Sequence, residues 1–378
     1  EQMGIARFGH RPKVADVFCG SGQIPFEAAR LGCDVYASDL NPIACMLTWA
    51  SLNIVGADEA KRLDIDRAQK ELSDKVKQKI DSLNIETDGN GWRAKVFLYC
   101  VEVKCPVSGW LVPLIPSLII SRGHGVIARL VPIPEEKRYD IDIVYVENEE
   151  KIDAAKIGTV QDGHMVHSPD GINKYRVNIK TIRGDYKKAK ENKNRLRLWE
   201  KTDFMPHPDD VFQERLYCVQ WMKKKPKGKK FNYAFRSVTA EDLEREQTVI
   251  DYVAAHIEEW QKKGYIPDTL IEEGAKTDEP IRTRGWTHWH HLFNPRQLLL
   301  GALYRKKLNK YEYPQFASFL NYDAKLCIWD PNPGPGRVGK TQNVFYNQAR
   351  NTFYNYACRA YECSADLVKI DKYKKDSF

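Results

Sequence analysis

The stretch VADVFCGSGQIPFEAARLGCDVYASDL, residues 14–40, constrains the fold more than any other part of the chain. Residues 14–18 are a short apolar run around Asp16, the pattern of a buried strand. CGSG follows, with Gly20 and Gly22. Residues 24–31 then have helical composition, with Pro25 in the first turn, where a missing N–H is tolerated. A second strand is predicted over 34–38, ending on Asp39. Strand, glycine turn, helix, strand and acid together make a nucleotide-binding βαβ half.

The residue types at the turn define the ligand. Glycines let the backbone approach a ligand without Cβ interference, and a helix N-terminus offers unpaired N–H groups. A carboxylate at the end of the next strand can accept both hydroxyls of a ribose. The dinucleotide fingerprint G-x-G-x-x-G needs a third glycine where Pro25 stands, and G-x-x-x-x-G-K-[ST] is absent here. Asp39 follows Gly22 by 39 − 22 = 17 residues, close to the roughly 20 expected between turn and ribose acid. Two glycines and a proline favour a small zwitterionic nucleoside over a pyrophosphate, and S-adenosylmethionine fits. Its methionine part would lie over the turn and its ribose would meet Asp39. The candidate cofactor residues are Asp16, Phe18, Cys19, Gly20, Ser21, Gly22, Asp39 and Leu40. A βαβ unit without a ligand is the competing reading.

DVFCGSGQIPFEAARLGCDVYASDLNP resembles the D-P-F-x-G-x-G motif of adenine-specific DNA methyltransferases. It is most similar to a large group of them, associated with phage defence and restriction, that carries a zinc-ribbon-like insert. CPVSGWLVPLIPSLIIS (105–121) is similar to that group's CPxCG…PL…S segment. GWTHWHHLFNPRQLLLGAL (285–303) is similar to its W…LFTPRQLLAL helix, and FYNQARNTFYNYACRAYE (345–362) to the helix before its catalytic strand. The resemblance implies a Rossmann-like S-adenosylmethionine-dependent fold and transfer to the exocyclic amine of adenine in DNA.

Two departures qualify that expectation. Such enzymes hold the target amine with a D/N-P-P-Y/F tetrapeptide, whose aromatic ring stacks on the flipped base. None occurs in this sequence, so the catalytic residues are left unassigned. DPNP (330–333) is the nearest string, but it lacks adjacent prolines and the aromatic ring, and it reads as a turn. FNPR (293–296) reads as a helix start capped by Asn294. In the resembling group the tetrapeptide follows the segment matched here by 345–362, so the chain is expected to be part of a longer or split enzyme. A second polypeptide or a C-terminal segment would bring the clamp.

The second departure concerns metal. A zinc ribbon needs two pairs of soft ligands. Here Ser108 stands where the second thiolate of CPxC would be, and GTVQDGHMVHSPDG (158–171) offers His164 and His167 but no cysteine. Cys100, Cys105, His164 and His167 form a conceivable set, but packing without metal is favoured and no metal site is assigned. His288, His290 and His291, among Trp286, Trp289 and Phe293, are read as packing or DNA contact.

The net charge of +8 is unevenly placed: RGDYKKAKENKNRLRLWEK (183–201) and KKKPKGKK (223–230) concentrate the cations. Such runs suit a polyanion, because each phosphate contact releases counterions. Arg195, Arg197, Lys223, Lys224 and Lys225, near Trp199 and Trp221, are the candidate DNA-binding residues. A solvated loop is the alternative.

The fold class expected is thus α/β: a partial Rossmann-like methyltransferase core, a β-rich insert and a helical C-terminal part. Residues 1–56 would form the cofactor half, and 57–237 the insert in the position of a target-recognition domain. Residues 238–378 would lead toward the missing motif. Helices are predicted over 42–55, 57–84, 239–263, 294–308, 313–322 and 341–364. Alternation between 94 and 183 predicts antiparallel strands with one wet face. No apolar run approaches the roughly 20 residues of a membrane span. The nine cysteines fall inside apolar segments, as suits a cytoplasmic protein. Two further functions stay open: a non-catalytic DNA-binding or assembly subunit, and a methyltransferase acting on another acceptor.

Overall fold

A computed structural model describes residues 2–188, 191–226, 230–275, 277–334, 337–347 and 352–365. They form a mixed α/β protein of two compact units. The first is drawn from the chain up to Val76 and from Lys307–Phe319, and the second from Lys77–Lys306 and Leu320–Ser364.

In the first unit α1 (Gln2–Phe8) precedes β1 (Lys13–Asp16), α2 (Gln23–Arg30), β2 (Asp34–Ala37) and α3 (Pro42–Ala50). β1 and β2 pair in parallel, from Lys13 opposite Asp34 to Asp16 opposite Ala37, so the expected βαβ order is present. Asn41 caps α3 by accepting the Ile43 amide, and Pro42 occupies its first turn. The helix continues as a π-turn over Ser51–Val55. Glycine is required at position 22, where φ is 84° and an added Cβ would lie 2.9 Å from Thr48 Cα. With no Cβ there, α3 can pack directly against the turn. α4 (Glu59–Leu83) begins in the first unit and ends in the second, burying Ile65, Leu72, Val76 and Ile80 at helical spacing. After it, the Asp88 carboxylate accepts the Asn90 and Trp92 amides at 2.8 and 3.0 Å and turns the chain into a long strand.

The second unit opens with β3 (Arg93–Lys104), β4 (Leu111–Leu114), β5 (Ile119–Ser121), β6 (Val126–Ile133) and β7 (Arg138–Tyr145). There follow α5 (Glu149–Ala154), β8 (Val160–Gln161), β9 (His164–His167), β10 (Tyr175–Asn178), α6 (Ile179–Arg183), β11 (Tyr186–Lys188) and β12 (Glu191–Lys193). β13 (Gln213–Lys224) and β14 (Phe231–Ser237) make a hairpin, and α7 (Ala240–Ala254), α8 (Ile257–Lys262), α9 (Asp278–Arg284) and α10 (Pro295–Arg305) come next. α11 (Tyr313–Leu320) is followed by β15 (Trp329–Asp330), β16 (Lys340–Thr341), β17 (Asn355–Arg359) and α12 (Tyr361–Ala365).

Eight of these strands form one mixed sheet in the order β14-β13-β3-β4-β7-β6-β5, with β17 also on β3. Only β4 and β7 meet in parallel. β3 gives one edge to β13 and shares the other between β17 and β4. The sheet curls until β14 meets β7: the Tyr145 hydroxyl accepts the Phe235 amide at 2.8 Å, and Ser237 Oγ accepts the Ile143 amide at 2.8 Å. Leu98, Cys100, Phe235, Trp329 and Ala357 lie in one core. Phe97, Tyr99, Trp221, Tyr356 and Cys358 lie in another.

Four expectations are corrected. The central strand has no wet face, because Val96 to Val103 are all buried; its second face is covered where Arg296 of α10 stacks 3.9 Å over Phe97 and Glu246 of α7 accepts the Tyr99 hydroxyl. The helix predicted over 341–364 is instead β16, a 3₁₀ turn at Val344–Asn347 and β17. Tyr356 and Cys358 point into one core and Ala357 into the other, the period of a strand. Because β17 pairs with β3, the expected insert and the expected helical region share one sheet, so the boundary at 237 is absent. The helix predicted over 239–263 is broken into α7 and α8 near His256, with Thr239 and Asp242 in a capping box at its start. No described helix is long and apolar enough to cross a membrane.

Candidate functional site

The two parallel strands deliver Asp16 and Asp39 to the same end of the sheet, the end where α/β proteins bind ligands. The turn after β1 is held by backbone: Cys19 N–H donates to Ser38 O at 3.0 Å, and Gly22 N–H to Cys19 O at 2.7 Å. Asp39 locks it from the other strand, accepting the Gly20 amide at 3.0 Å on one oxygen and the Asn41 amide at 2.8 Å on the other. These donors, Asn41 first and then Gly20, hold the Asp39 carboxyl below its ordinary value, so it stays an anion. Each oxygen keeps a second lone pair for a ligand hydroxyl.

The surroundings suit a nucleoside. Gly20 is left-handed at φ 52°, and an added Cβ there would meet nothing within 4 Å, so the space beside its backbone is open. Val17, Phe18, Leu40 and Ile43 are exposed at 52%, 77%, 94% and 53%. Two of them lie between β1 and the glycine turn and two follow Asp39, an apolar rim of the kind a purine ring covers. Ser21 lies in the turn and Asp16 accepts the Phe18 amide at 3.2 Å. Thr48 belongs to the site although the sequence reading passed over it: its hydroxyl donates to buried Cys19 Sγ at 3.2 Å. The available signal was one threonine within the apolar run PIACMLTWA.

The DNA-binding candidates separate. Arg197 donates to Asp210 at 2.8 Å and to Asp203 at 2.5 Å. These carboxylates raise its pKa above an already high ordinary value. That guanidinium is committed to its own fold and is corrected out of the set. Arg195 is exposed and lies on Gly184. Lys223, Lys224 and Lys225 are exposed, Lys223 donating to Asn90 O at 2.8 Å. Trp199 and Trp221, the aromatics read beside them, are buried and offer no stacking face. A cleft of about 410 Å³ lined by Lys180, Tyr186, Lys187, Lys193 and Arg282 is a further basic concavity that composition did not single out.

DPNP is held in a hydrogen-bonded loop. Asp330 accepts the Asn332 amide at 2.9 Å and Gln342 Nε2 at 2.8 Å, while the Pro331 carbonyl accepts the Arg122 amide at 3.0 Å. These contacts tie the DPNP segment to Gln342 and Arg122 as part of the fold.

The zinc-ribbon-like positions form a hydrogen-bonded cluster. Ser108 N–H donates to Cys105 Sγ at 3.4 Å, Ser108 Oγ lies 3.2 Å from His167 Nε2, and the Tyr139 hydroxyl lies 3.0 Å from His167 Nδ1. Both ring nitrogens of His167 are therefore engaged, and burial lowers its pKa. Cys100 is sealed in the sheet core, where burial raises its thiol well above the ordinary value. Among the described residues no three His, Cys, Asp or Glu side chains converge as a metal set.

The second histidine cluster is structural. His290 and His291 are fully buried, facing Asp203 O at 3.0 Å and Glu200 O at 2.9 Å, so they contact no DNA. Burial pushes them down to about 4 and about 2.

No protein-family profile, no curated protein and no solved structure matches this chain.

Proposed function

We propose that the chain is the cofactor-binding and DNA-recognition portion of an S-adenosylmethionine-dependent, adenine-specific DNA methyltransferase of restriction or phage-defence type. In this reading the first unit is half of a Rossmann-like core. One observation carries it: the Asp39 carboxylate and the Gly20 backbone, 19 residues apart, meet at the ends of two parallel strands. The open space beside Gly20 fits an amino-acid tail, and the spare lone pairs of Asp39 fit two ribose hydroxyls. When bound, the cofactor supplies an electrophilic methyl group on its sulfonium. The chain's own residues then bind and orient: Gly20, Ser21 and Gly22 line the tail, Asp39 grips the sugar, and Phe18 and Leu40 flank the base.

The amine clamp comes from outside the described residues, on a further segment or a second polypeptide. The experiment is titration calorimetry with S-adenosylmethionine, first with this chain and then with its Asp39→Ala variant. Binding that the variant loses supports the reading, and absence of binding to the unaltered chain sinks it. The engagement of Asp330 with Gln342 and of the Pro331 carbonyl with the Arg122 amide favours one second reading, a non-catalytic DNA-associated subunit that retains the fold. Methylation of adenine-containing duplex after addition of a D-P-P-Y polypeptide would exclude it.

A further inference from the structure

We propose that the β13–β14 hairpin seats its outer end on duplex DNA, with Lys224, Lys225 and Lys230 on phosphates and Phe231 and Tyr233 against the groove. This rests on the reading of DNA as the substrate.

Charge distribution is the first ground. Residues 215–237 contain eight Lys and Arg and no Asp or Glu, a segment charge equal to the +8 of the whole chain. Positions 227–229 lie outside the described residues. Closure of the hairpin is visible on either side of them, where Lys225 N–H donates to Lys230 O at 3.0 Å.

The two faces differ. Residues directly opposite on antiparallel strands share a face, and the register sets Lys223 against Asn232, Lys224 against Phe231 and Met222 against Tyr233. On the face of Lys223, that residue and Arg236 are already used, while Lys225 and Lys230, the next opposed pair, continue this face beyond them to the end of the hairpin. Lys223 donates to Asn90 O, and Arg236 pairs with Asp88 at 2.9 Å and stacks 4.7 Å from Trp92. The other face carries Lys224, Phe231 and Tyr233, all exposed, with Lys95 Nζ held 4.4 Å over the Tyr233 ring. No carboxylate partners Lys224, Lys225 or Lys230 among the described residues.

β14 is also the last strand of the sheet, and lysines alone would guard such an edge from pairing. Two exposed rings beside them work against that purpose, since exposed apolar surface invites association. Lysines together with rings match a surface that places phosphates and packs on bases. Past Met222, the last residue of β13 paired with β3, the hairpin continues as two strands alone. A two-stranded ribbon is an element a major groove admits, which favours duplex over single strand.

The test is fluorescence anisotropy of the full chain with a labelled duplex across a salt series, beside the matching single strand. Circular dichroism would check the fold of each variant, and calorimetry its affinity for S-adenosylmethionine. Replacing Lys224, Lys225 and Lys230 by Ala is expected to reduce the slope of log affinity against log salt by about 0.9 for each phosphate lost. Phe231→Ala with Tyr233→Ala is expected to weaken binding roughly tenfold with the slope unchanged. An unchanged slope in the folded lysine variant, or tighter binding of the single strand, overturns the proposal. Cofactor affinity is untouched in either case, so failure here is distinguishable from failure of the cofactor reading.

Discussion

Asp39 accepts the Gly20 amide at 3.0 Å, joining the glycine turn of one parallel strand to the acid at the end of the next. Among the described residues the carboxylate has no cationic partner, and backbone donors hold it in its charged form. Replacing it with Ala removes both turn contacts and the ribose acceptor. Affinity for S-adenosylmethionine in calorimetry is expected to fall at least tenfold, the scale of a lost charge-assisted hydrogen bond. An unchanged affinity removes Asp39 from the site.

Gly20 and Gly22 are expected to fail differently. At Gly22 an added methyl meets the backbone of Thr48, which cannot yield without moving α3. Gly22→Ala should therefore unfold the first unit locally, at a cost of about 2–4 kcal/mol from the left-handed backbone and overpacking together. Gly20→Ala meets open space and pays only the left-handed term, about 1–2 kcal/mol, but its methyl points where a ligand would lie. Proteolysis should thus be accelerated in Gly22→Ala and cofactor binding lost in Gly20→Ala. Equal behaviour of the two would mean the space beside Gly20 is not the cradle.

What was legible in the sequence was local. The β1–α2–β2 unit, the Thr239 and Asn294 caps and the turn at DPNP each depend on residues within one or two turns, and each is present. β17 was not legible, because its strand character comes from pairing with β3, far back in the chain. A short run such as NYACR is equally apolar in either period. Arg197 counted as one more cation in a basic run, although Asp203 and Asp210, which neutralise it, follow shortly after that run. The burial of His290 and His291 depends on contacts with residues 200 and 203, which periodicity cannot see.

His290 and Asp323 oppose each other in acid. Burial lowers His290 from 6.5 to about 4. Its contribution is therefore complete above pH 6.5 and is lost as pH falls toward 4. Burial raises Asp323 from 3.8 to about 7, so its contribution is complete below pH 4 and is lost as pH rises through 7. Between these limits unfolding takes up one proton and releases one, and the two slopes cancel. Asp323→Asn should leave the histidine slope, with stability rising relative to the unaltered chain by about 1.4 kcal/mol per pH unit. His290→Gln should tilt it equally the other way. Urea melts from pH 4.5 to 6.5 measure both, and parallel curves for all three chains would refute the assignment.

The Ser108–His167–Tyr139 cluster engages by hydrogen bonds the positions where a zinc-ribbon-like set would stand. With both imidazole nitrogens engaged and Cys100 in the core, a chelator is expected to leave the melting temperature unchanged. Tyr139→Phe leaves the buried Nδ1 without its partner, at a cost of about 1–3 kcal/mol. A melting temperature that drops with chelator would restore the metal site.

Lys325 and Glu214 provide the sharpest test of the second unit's core. Lys325 is fully buried, donates to Glu214 at 2.6 Å and lies about 5 Å from the rings of Trp199 and Trp286. Glu214 also accepts the Tyr356 hydroxyl at 2.7 Å, which links the pair to β17. Removing either charge strands the other in an apolar setting, so Lys325→Met and Glu214→Gln should each cost about 3–5 kcal/mol. The double variant leaves no buried charge at this pair and should cost well under the sum of the two. Denaturant melts of the three variants give the coupling directly. Additive losses would show that the two charges are solvated separately and that β17 is not anchored through Glu214.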